Sequence, residues 1–274
     1  NILAVDGIAA EGIDILKKSF NVEVHDKISA EELINIIPKF DALIVRSASK
    51  VTAEVLDAAK NLKIIGRAGV GVDNIDVKAA TERGIIVINS PDGNTIAATE
   101  HTFAMMLAVS RNIPQANKTI HEGGWDRKKF VGVELRNKIL GVIGLGRIGA
   151  GVAKRAQAFE MSVVAYDPFV SEERAESLGV KLVELDELFK TADFITVHMP
   201  LTKKTENMIS LEQIKMMKPS TRLINCARGG IINEADLAVA LSEKIIAGAA
   251  IDVFTSEPLV EDSPFRELDN IILT

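Results

Sequence analysis

Short, nearly uncharged apolar runs alternate with amphipathic segments along most of this 274-residue chain. Runs such as Ile2–Val5, Ala42–Val45 and Ile139–Ile143 suit buried strands that are covered on both faces. The segments between them, for example residues 53–59 and 148–158, place apolar residues at helical spacing. This alternation is typical of βαβ units, whose strands form parallel sheets. The sequence therefore predicts an α/β fold.

The alternation occurs twice, and a different pattern separates its two occurrences. The turn-forming run at residues 91–94 ends the first region, and helical patterns follow at 95–109 and from Pro114 to about 124. These helices are either plain core helices or subunit contacts, and the sequence favours neither. The pattern predicts two domains, residues 1–92 and 93–274, with linking or dimerisation helices at 94–124.

Charge and cysteine content exclude several classes of protein. The chain has 38 acidic against 32 basic side chains, a net charge of −6, which argues against a general nucleic-acid binder. It has no uncharged apolar stretch of about 18 residues, so we expect no membrane span. The single Cys226 cannot form an internal disulfide, which suits the reducing cytoplasm.

A glycine-rich motif follows the predicted strand Ile139–Ile143 and opens a predicted helix. Its glycines are Gly144, Gly146 and Gly149, in the pattern G-x-G-x-x-G with Leu145, Arg147 and Ile148 between them. In a βαβ setting this pattern binds a dinucleotide: the first glycine permits a tight turn, the second admits the pyrophosphate, and the third lets helix and strand pack closely. The helix N-terminus would offer N–H groups and a partial positive charge to the phosphates.

Asp167 ends the next predicted strand, at the distance from the motif where a ribose-binding acid is expected. Its carboxylate would accept hydrogen bonds from the adenine ribose and would repel a 2′-phosphate. The sequence therefore predicts NAD, not NADP, as the cofactor.

Three polar side chains after two later strands are candidates for the chemistry. Arg228 follows the strand at 223–225, and its guanidinium can hold a carboxylate through two parallel hydrogen bonds. Asp252 and Glu257 follow the strand at 249–253, where either could orient a histidine or hold a ribose or nicotinamide. Each of the three could instead be structural, Arg228 as a loop anchor and the two acids as surface groups.

The four histidines are His25, His101, His121 and His198. His198 ends a predicted strand and should border the nucleotide cleft, although a structural role is more common for such a residue than a role as base. His101 and His121 lie on the connecting helices, where we expect packing or solvent roles. Because no Cys/His pair has zinc spacing and no acidic loop has calcium spacing, we expect no metal.

Several motifs in fixed order give the chain a specific resemblance. They are residues 46–51 (RSASKV), 66–76 (GRAGVGVDNID), 94–100 (NTIAATE), 125–130 (WDRKKF), 144–149 (GLGRIG), 196–200 (TVHMP), 225–230 (NCARGG) and 252–258 (DVFTSEP). With them the chain resembles the D-isomer-specific 2-hydroxyacid dehydrogenase family over almost its whole length. The resemblance implies two Rossmann-like domains with parallel sheets, a flavodoxin-like substrate domain at 1–92 and an NAD-binding Rossmann domain at 93–274.

The resemblance also implies an activity, hydride transfer between NAD and a D-2-hydroxy acid. Among the substrates of the family it favours 3-phospho-D-glycerate, the starting compound of phosphorylated serine biosynthesis. Other D-2-hydroxy acids (glyoxylate or hydroxypyruvate as their keto forms, and D-lactate) and a non-enzymatic NAD-sensing corepressor stay as alternatives. In this family the arginine matching Arg228 clamps the substrate, and the glutamate matching Glu257 pairs with a catalytic histidine. None of the four histidines matches that histidine's motif, which we expect just after Thr274.

Matching positions imply further site residues. The expected cofactor contacts beyond the glycine motif and Asp167 are Val70, Met199, Pro200, Cys226, Ala227, Arg228 and Asp252. Met199 stands where a threonine is common and Val70 likewise lacks a hydroxyl, so we expect no side-chain hydrogen bond to the cofactor from either. The expected substrate contacts are Arg46, Ser47, Arg67, Val70, Gly71, Asn94 and Arg228. The resemblance also implies that the helices after Asn94 form a homodimer, or a homotetramer in longer forms. Basic residues 127–129 either add positive charge for a phosphorylated substrate across the dimer or form a solvated run of charges.

Overall fold

The computed structural model describes all residues, Asn1–Thr274. The chain divides into two compact units, which we name the N-terminal unit, Asn1–Asn94, and the C-terminal unit, Thr95–Thr274. Each unit is an α/β body built on a single parallel sheet. The predicted fold class is therefore confirmed.

The N-terminal unit contains five parallel strands in the order β2-β1-β3-β4-β5, the flavodoxin-like arrangement. The strands are β1 (Ile2–Val5), β2 (Val22–His25), β3 (Ala42–Val45), β4 (Ile64–Arg67) and β5 (Ile86–Asn89). The helices are α1 (Ala10–Lys17), α2 (Ala30–Ile36), α3 (Ala53–Ala58) and α4 (Val77–Glu82). A short 3-10 turn, Ile37–Lys39, follows α2.

Side-chain caps fix where these helices begin. The Ser29 hydroxyl accepts the Glu32 backbone N–H, while the Glu32 carboxylate accepts the Ser29 N–H in return. Thr52 and Asp76 cap α3 and α4 through a single hydrogen bond each, from the backbone N–H of Val55 and Ala79. Such caps satisfy backbone donors that no helical hydrogen bond reaches.

The C-terminal unit contains seven parallel strands in the order β12-β11-β10-β9-β6-β7-β8. They are β6 (Ile139–Ile143), β7 (Ser162–Tyr166), β8 (Lys181–Leu182), β9 (Phe194–Val197), β10 (Arg222–Asn225), β11 (Gly248–Ile251) and β12 (Ile271–Leu273). The helices are α5 (Thr95–Arg111), α6 (Ile113–His121), α7 (Arg147–Ala158), α8 (Glu172–Ser177), α9 (Leu185–Thr191), α10 (Leu211–Lys215) and α11 (Glu234–Ser242). This order is that of a doubly wound dinucleotide-binding fold.

The central strands of the C-terminal sheet are buried on both faces, whereas β3 of the N-terminal sheet alternates buried residues (Leu43, Val45) with half-buried ones (Ala42, Ile44), so the predicted burial of this strand on both faces is wrong. Every residue of β9 and β11 is buried, and the long helix α5 packs against β10, β11 and β12. Two apolar clusters cover the faces of the C-terminal sheet, and one cluster lies in the N-terminal unit. No helix is both long enough and apolar enough to cross a bilayer.

The sequence pattern does not predict two of the elements, α9 and β8. The helix α9 is short, and only three of its residues (Leu185, Leu188 and Phe189) are apolar, so its periodicity is hidden among acidic residues. The strand β8 has two residues and lies at the edge of its sheet. The strand β9 ends at Val197, one residue before the predicted end at His198.

Candidate functional site

The carboxyl ends of parallel strands meet at one edge of each sheet, and ligands of open α/β sheets bind there. In the C-terminal unit the chain reverses direction across the sheet at β6, which lies between β7 and β9. The glycine motif follows β6, Asp167 follows β7, and Cys226 and Asp252 follow β10 and β11. The topology thus brings these candidates to the same edge.

Two of the motif glycines are required by close packing. Gly144 has φ +96°, and a Cβ on it would lie 2.7 Å from the His198 carbonyl oxygen and 2.9 Å from Met199 Cγ. A Cβ on Gly149 would overlap the Gly144 carbonyl oxygen and lie 3.1 Å from Val142 Cγ1. Because of these contacts, the glycine turn packs closely on the segment after β9, and the first helical turn of α7 packs closely on β6.

Gly146 differs from its two neighbours in the motif. It has an ordinary φ of −70°, and a Cβ built on it meets no atom within 4 Å. It is the N-cap of α7, and no side chain caps this helix end. Open space beside an uncapped helix N-terminus is the environment that a dinucleotide pyrophosphate requires, so these residues fit the expected cofactor.

Asp167 is held beside this turn by backbone hydrogen bonds. Its Oδ2 accepts the Leu145 N–H at 2.8 Å, and its Oδ1 accepts the Phe169 N–H at 2.9 Å. Each carboxylate oxygen can accept a further hydrogen bond. The half-buried carboxylate is therefore fixed and still able to receive ribose hydroxyls.

The segment after β9 contains His198, Met199 and Pro200. The His198 ring nitrogen Nε2 lies 3.0 Å from the Thr196 hydroxyl, and burial lowers the pKa of His198 to about 4. Such an imidazole is neutral near pH 7 and accepts a proton poorly, so the structure favours a structural role for His198 over a role as base. Met199 packs against Gly144, and Pro200 is exposed.

The loop after β10 is organised by Asn225, a buried residue that the sequence interpretation did not single out. Its Oδ1 accepts the Ala227 N–H at 3.0 Å, and its Nδ2 donates to the Arg228 carbonyl at 2.9 Å. Arg228 is half-buried, and its Nη1 donates to the Ala227 carbonyl at 2.6 Å. An asparagine at the carboxyl end of a buried strand is the signal that could have identified this loop anchor.

The loop after β11 packs directly on the loop after β10. A Cβ on Gly229 would overlap the Phe254 carbonyl, so the two backbones touch there. Glu257 is exposed, and its Oε1 accepts the Phe254 N–H at 3.1 Å. Glu234 of α11 accepts hydrogen bonds from the backbone and hydroxyl of Thr255. Arg228 and Glu257 therefore lie on two loops in mutual contact.

Cys226 and Asp252 are neighbours because β10 and β11 pair with Asn225 opposite Ile251. Burial and, to a smaller extent, the charge of Asp252 raise the pKa of the Cys226 thiol to about 12, while a hydrogen bond with Thr102 opposes the shift. His101 of α5 places Nε2 at 3.2 Å from Asp252 Oδ1. The sequence interpretation gave His101 only a packing or solvent role and so missed this contact.

In the N-terminal unit, Arg46 and Ser47 follow β3, and their loop is hydrogen-bonded to Asp6, which directly follows β1. Asp6 Oδ2 accepts the backbone N–H groups of Arg46 and Ser49 at 2.9 and 3.0 Å, and Asp6 Oδ1 accepts the Ser49 hydroxyl at 2.6 Å. Asn74 donates to the Arg46 and Ser49 carbonyls. Asp6 and Asn74, which sequence reasoning did not select, therefore shape the loop that carries Arg46.

The remaining substrate candidates surround the end of β4. The Arg67 guanidinium lies over Gly69, where it occupies the position that a Cβ would take. Asn89 donates to the Val70 carbonyl at 2.6 Å, and Val70 and Gly71 are half-buried. Asn94 is exposed and is the last residue of this unit.

Comparisons with known proteins give the family. Residues 103–274 match the family model described as D-isomer specific 2-hydroxyacid dehydrogenase, NAD binding domain. The chain is 55% identical over 274 residues to D-3-phosphoglycerate dehydrogenase of Archaeoglobus fulgidus, covering 100% of this chain and 52% of the relative. It is also 55% identical over 273 residues to D-3-phosphoglycerate dehydrogenase of Synechocystis sp., covering 100% of this chain and 49% of the relative. The chain thus spans about half the length of these relatives.

Among solved structures, D-lactate dehydrogenase from Aquifex aeolicus, complexed with NAD and lactic acid, is similar with a TM-score of 0.90 and 30% identity. That match covers 100% of this chain and 87% of the solved one. The chain belongs to the D-isomer specific 2-hydroxyacid dehydrogenase family, and residues 103–274 are its NAD-binding domain.

Proposed function

We propose that the protein containing this chain is an NAD-dependent oxidoreductase that converts 3-phospho-D-glycerate to 3-phosphooxypyruvate, the first step of phosphorylated L-serine biosynthesis. The observation that carries the proposal is the Asp167 carboxylate, which is bonded to the glycine turn beside an uncapped helix N-terminus. The two relatives at 55% identity, both named D-3-phosphoglycerate dehydrogenase, support the substrate.

The cofactor would be held by the chain's own backbone and one acid. The first N–H groups of α7 would face the pyrophosphate at Gly146, and Asp167 would accept the adenine ribose hydroxyls. When bound, NAD⁺ would accept the hydride that leaves C2 of the substrate. A 2′-phosphate would meet the negative charge of Asp167, which favours NAD over NADP.

Arg228 would supply the charge on which the reaction depends. Its guanidinium can bind the substrate carboxylate and stabilise negative charge on the C2 oxygen as the carbonyl forms. The C2 hydroxyl proton would pass to an imidazole paired with Glu257, whose second oxygen remains available beside the one that accepts Phe254 N–H. We do not assign that imidazole to any of the chain's four histidines.

The phosphate of the substrate requires positive charge beyond Arg228. Arg46 and Arg67 follow β3 and end β4, at the same edge of the N-terminal sheet. Together with Ser47 they would hold the phosphorylated end of the substrate. Backbone N–H groups around Val70 and Gly71 would instead meet its carboxylate, and Asn94 would also bind the substrate. Lactate or glycerate would not need this excess of cationic groups.

The proposal includes a homodimer in the cytoplasm. Large apolar side chains are exposed on and just after α5 and α6, among them Ile96, Ile113, Ile120 and Trp125. Exposed apolar groups of this kind mark protein contact surfaces, which supports self-association. The single cysteine supports a reducing compartment.

Turnover with matched substrates tests the proposed function. The full-length protein should oxidise 3-phosphoglycerate with NAD⁺ at a kcat/KM at least about tenfold above that for D-glycerate or D-lactate, because the phosphate adds charge-assisted hydrogen bonds. Preference for D-lactate would instead indicate a lactate dehydrogenase. Protein that binds NADH and oxidises no hydroxy acid would indicate a non-enzymatic NAD sensor.

A further inference from the structure

Three side chains with metal-binding atoms converge at the carboxyl edge of the C-terminal sheet. Cys226 follows β10, Asp252 follows β11, and His101 reaches them from α5, which packs on both strands. The Cys226 sulfur, a His101 ring nitrogen and an Asp252 carboxylate oxygen all lie within 4.8 Å of one another. We propose that His101, Cys226 and Asp252 form a binding site for one divalent cation of the zinc class.

The spacing of the ligand atoms suits a tetrahedral ion. Zinc bonds of about 2.0–2.3 Å place neighbouring ligand atoms about 3.3–3.6 Å apart. His101 Nε2 and Asp252 Oδ1 already lie 3.2 Å apart. The sulfur has to approach its neighbours by at most about 1.2 Å, because all three ligand atoms lie within 4.8 Å of one another. A water would complete the fourth position.

The donor set selects the kind of metal. One sulfur, one imidazole and one carboxylate suit Zn²⁺ or Co²⁺, whereas Mg²⁺ and Ca²⁺ prefer oxygen ligands throughout. The cation would displace the thiol proton, which leaves to solvent, so that thiolate and carboxylate together neutralise the two positive charges. A neutral site of this kind suits three half-buried ligands.

The surroundings supply an entry path and an outer shell. The side chains of His101 and Asp252 are 40% and 33% exposed, so an ion can reach them from solvent. Thr274 Oγ1 donates to Asp252 Oδ1 at 2.7 Å and lies 3.3 Å from His101 Nε2. It would orient the carboxylate as an outer-shell partner of the ion.

Occupation of this site has a consequence that rests on the proposed function. Asp252 and Cys226 are also proposed cofactor contacts, so the same side chains cannot serve the cation and the dinucleotide at once. The cation and NADH should therefore weaken each other's binding reciprocally.

Cobalt(II) absorption tests the site without any dinucleotide, because Cys226 is the only thiol of the 274 residues. Titration with Co²⁺ should produce a thiolate-to-cobalt charge-transfer band that saturates at one equivalent and disappears when Zn²⁺, but not Mg²⁺, is added. Cys226→Ser should abolish the band, and His101→Ala should weaken cobalt binding by about tenfold or more. His121→Ala, which removes an exposed histidine of α6, is the matched control and should change nothing.

Thermal melting of each variant separates loss of a ligand from loss of the fold. Cobalt binding without the band, or an unchanged band in a folded His101→Ala variant, would overturn the site. A band that NADH does not reduce would overturn the mutual exclusion, while the turnover measurements test the proposed function independently.

Discussion

Both units are built on a parallel sheet, but the residues that follow the first strand of each sheet differ in kind. In the C-terminal unit, β6 leads into glycines and an uncapped helix, with open space beside Gly146. In the N-terminal unit, β1 leads into Asp6, whose carboxylate accepts three hydrogen bonds from the Arg46 and Ser49 region. The same place in the fold is open to an anion in one unit and occupied by an anionic side chain in the other.

This contrast shows that a few residues at strand ends decide what each sheet can bind, because the architecture is common to both. Glycines leave backbone donors free for a phosphate, whereas Asp6 uses neighbouring donors to position a loop with an arginine. This contrast supports the proposal that the C-terminal unit binds the cofactor and carries the chemistry while the N-terminal unit holds the substrate. The predictions below test that division of roles.

The largest effect on kinetics should come from Arg228, in the loop after β10, and Arg46, after β3, is the residue to compare with it. Arg228→Ala in the full-length protein should lower kcat by about 10²–10³, because it removes a charged donor that acts on the reacting oxygen. Arg46→Ala should instead raise KM for 3-phosphoglycerate by about tenfold with little change in kcat, since it removes a hydrogen bond to a charged group that is equal in ground and transition states. Steady-state kinetics measure both.

The control for Arg228→Ala is Arg228→Lys, which keeps the charge and loses the planar fork. It should recover only part of the rate. Equal effects of Arg46→Ala and Arg228→Ala on kcat would contradict the division between the units.

Acid should destabilise the C-terminal unit through His198. Burial lowers the pKa of His198 to about 4, against an ordinary value of 6.5, so the folded state binds fewer protons than the unfolded state between these values. The free energy of unfolding is therefore at its full value above pH about 6.5. It falls as the pH drops toward 4, by up to about 3 kcal/mol, because protonation of His198 favours the unfolded state. Urea unfolding across this range measures it.

The matched variants for this effect are His198→Gln and His25→Gln. The first should flatten the pH dependence of the free energy of unfolding, and the second, on β2 of the other unit, controls for the loss of a histidine far from His198 in the sequence. A steep dependence that persists in His198→Gln would assign the acid sensitivity to other groups.

The sequence predicted the features that depend on local pattern. Runs such as Ile2–Val5 and Ile139–Ile143 are strands within those bounds, because a buried parallel strand needs a continuous apolar run. The position of the glycine turn between β6 and α7 followed from the same logic. Short or edge elements such as α9 and β8 lack enough residues to show a period.

The candidate site was predictable only where a motif carries it. Asn225 and Asp6 act through hydrogen bonds to loops: a polar residue at a strand end can be recognised as a loop anchor from the sequence, but the sequence does not reveal which groups it binds. The neighbourhood of His101, Cys226 and Asp252 depends on how α5 packs on β10 and β11. The spacing of these three residues along the chain does not show that they are neighbours in the fold. For this reason the sequence, which has neither zinc nor calcium spacing, predicts no metal.

An intermediate effect should separate the two kinds of motif glycine. Gly146→Ala should fold normally, since its Cβ meets no atom within 4 Å, and should weaken NADH binding by about tenfold because the methyl group enters the pyrophosphate's space. Gly149→Ala should destabilise the unit by about 1–3 kcal/mol, since its Cβ overlaps the Gly144 carbonyl. Calorimetric titration and thermal melting measure the two effects. Tight NADH binding by Gly146→Ala would place the phosphates elsewhere.

The smallest effect should come from Asp6, which touches the loop and not the ligand. Asp6→Asn retains one acceptor oxygen and loses the charge-assisted hydrogen bonds to Arg46 N–H, Ser49 N–H and the Ser49 hydroxyl, so the loop that presents Arg46 should loosen. KM for 3-phosphoglycerate should rise about threefold, within the cost of one weakened hydrogen bond, while kcat and NADH affinity stay unchanged. A fall in NADH affinity would show that Asp6 acts on the cofactor, and the assignment of the two strand ends to different ligands would then fail.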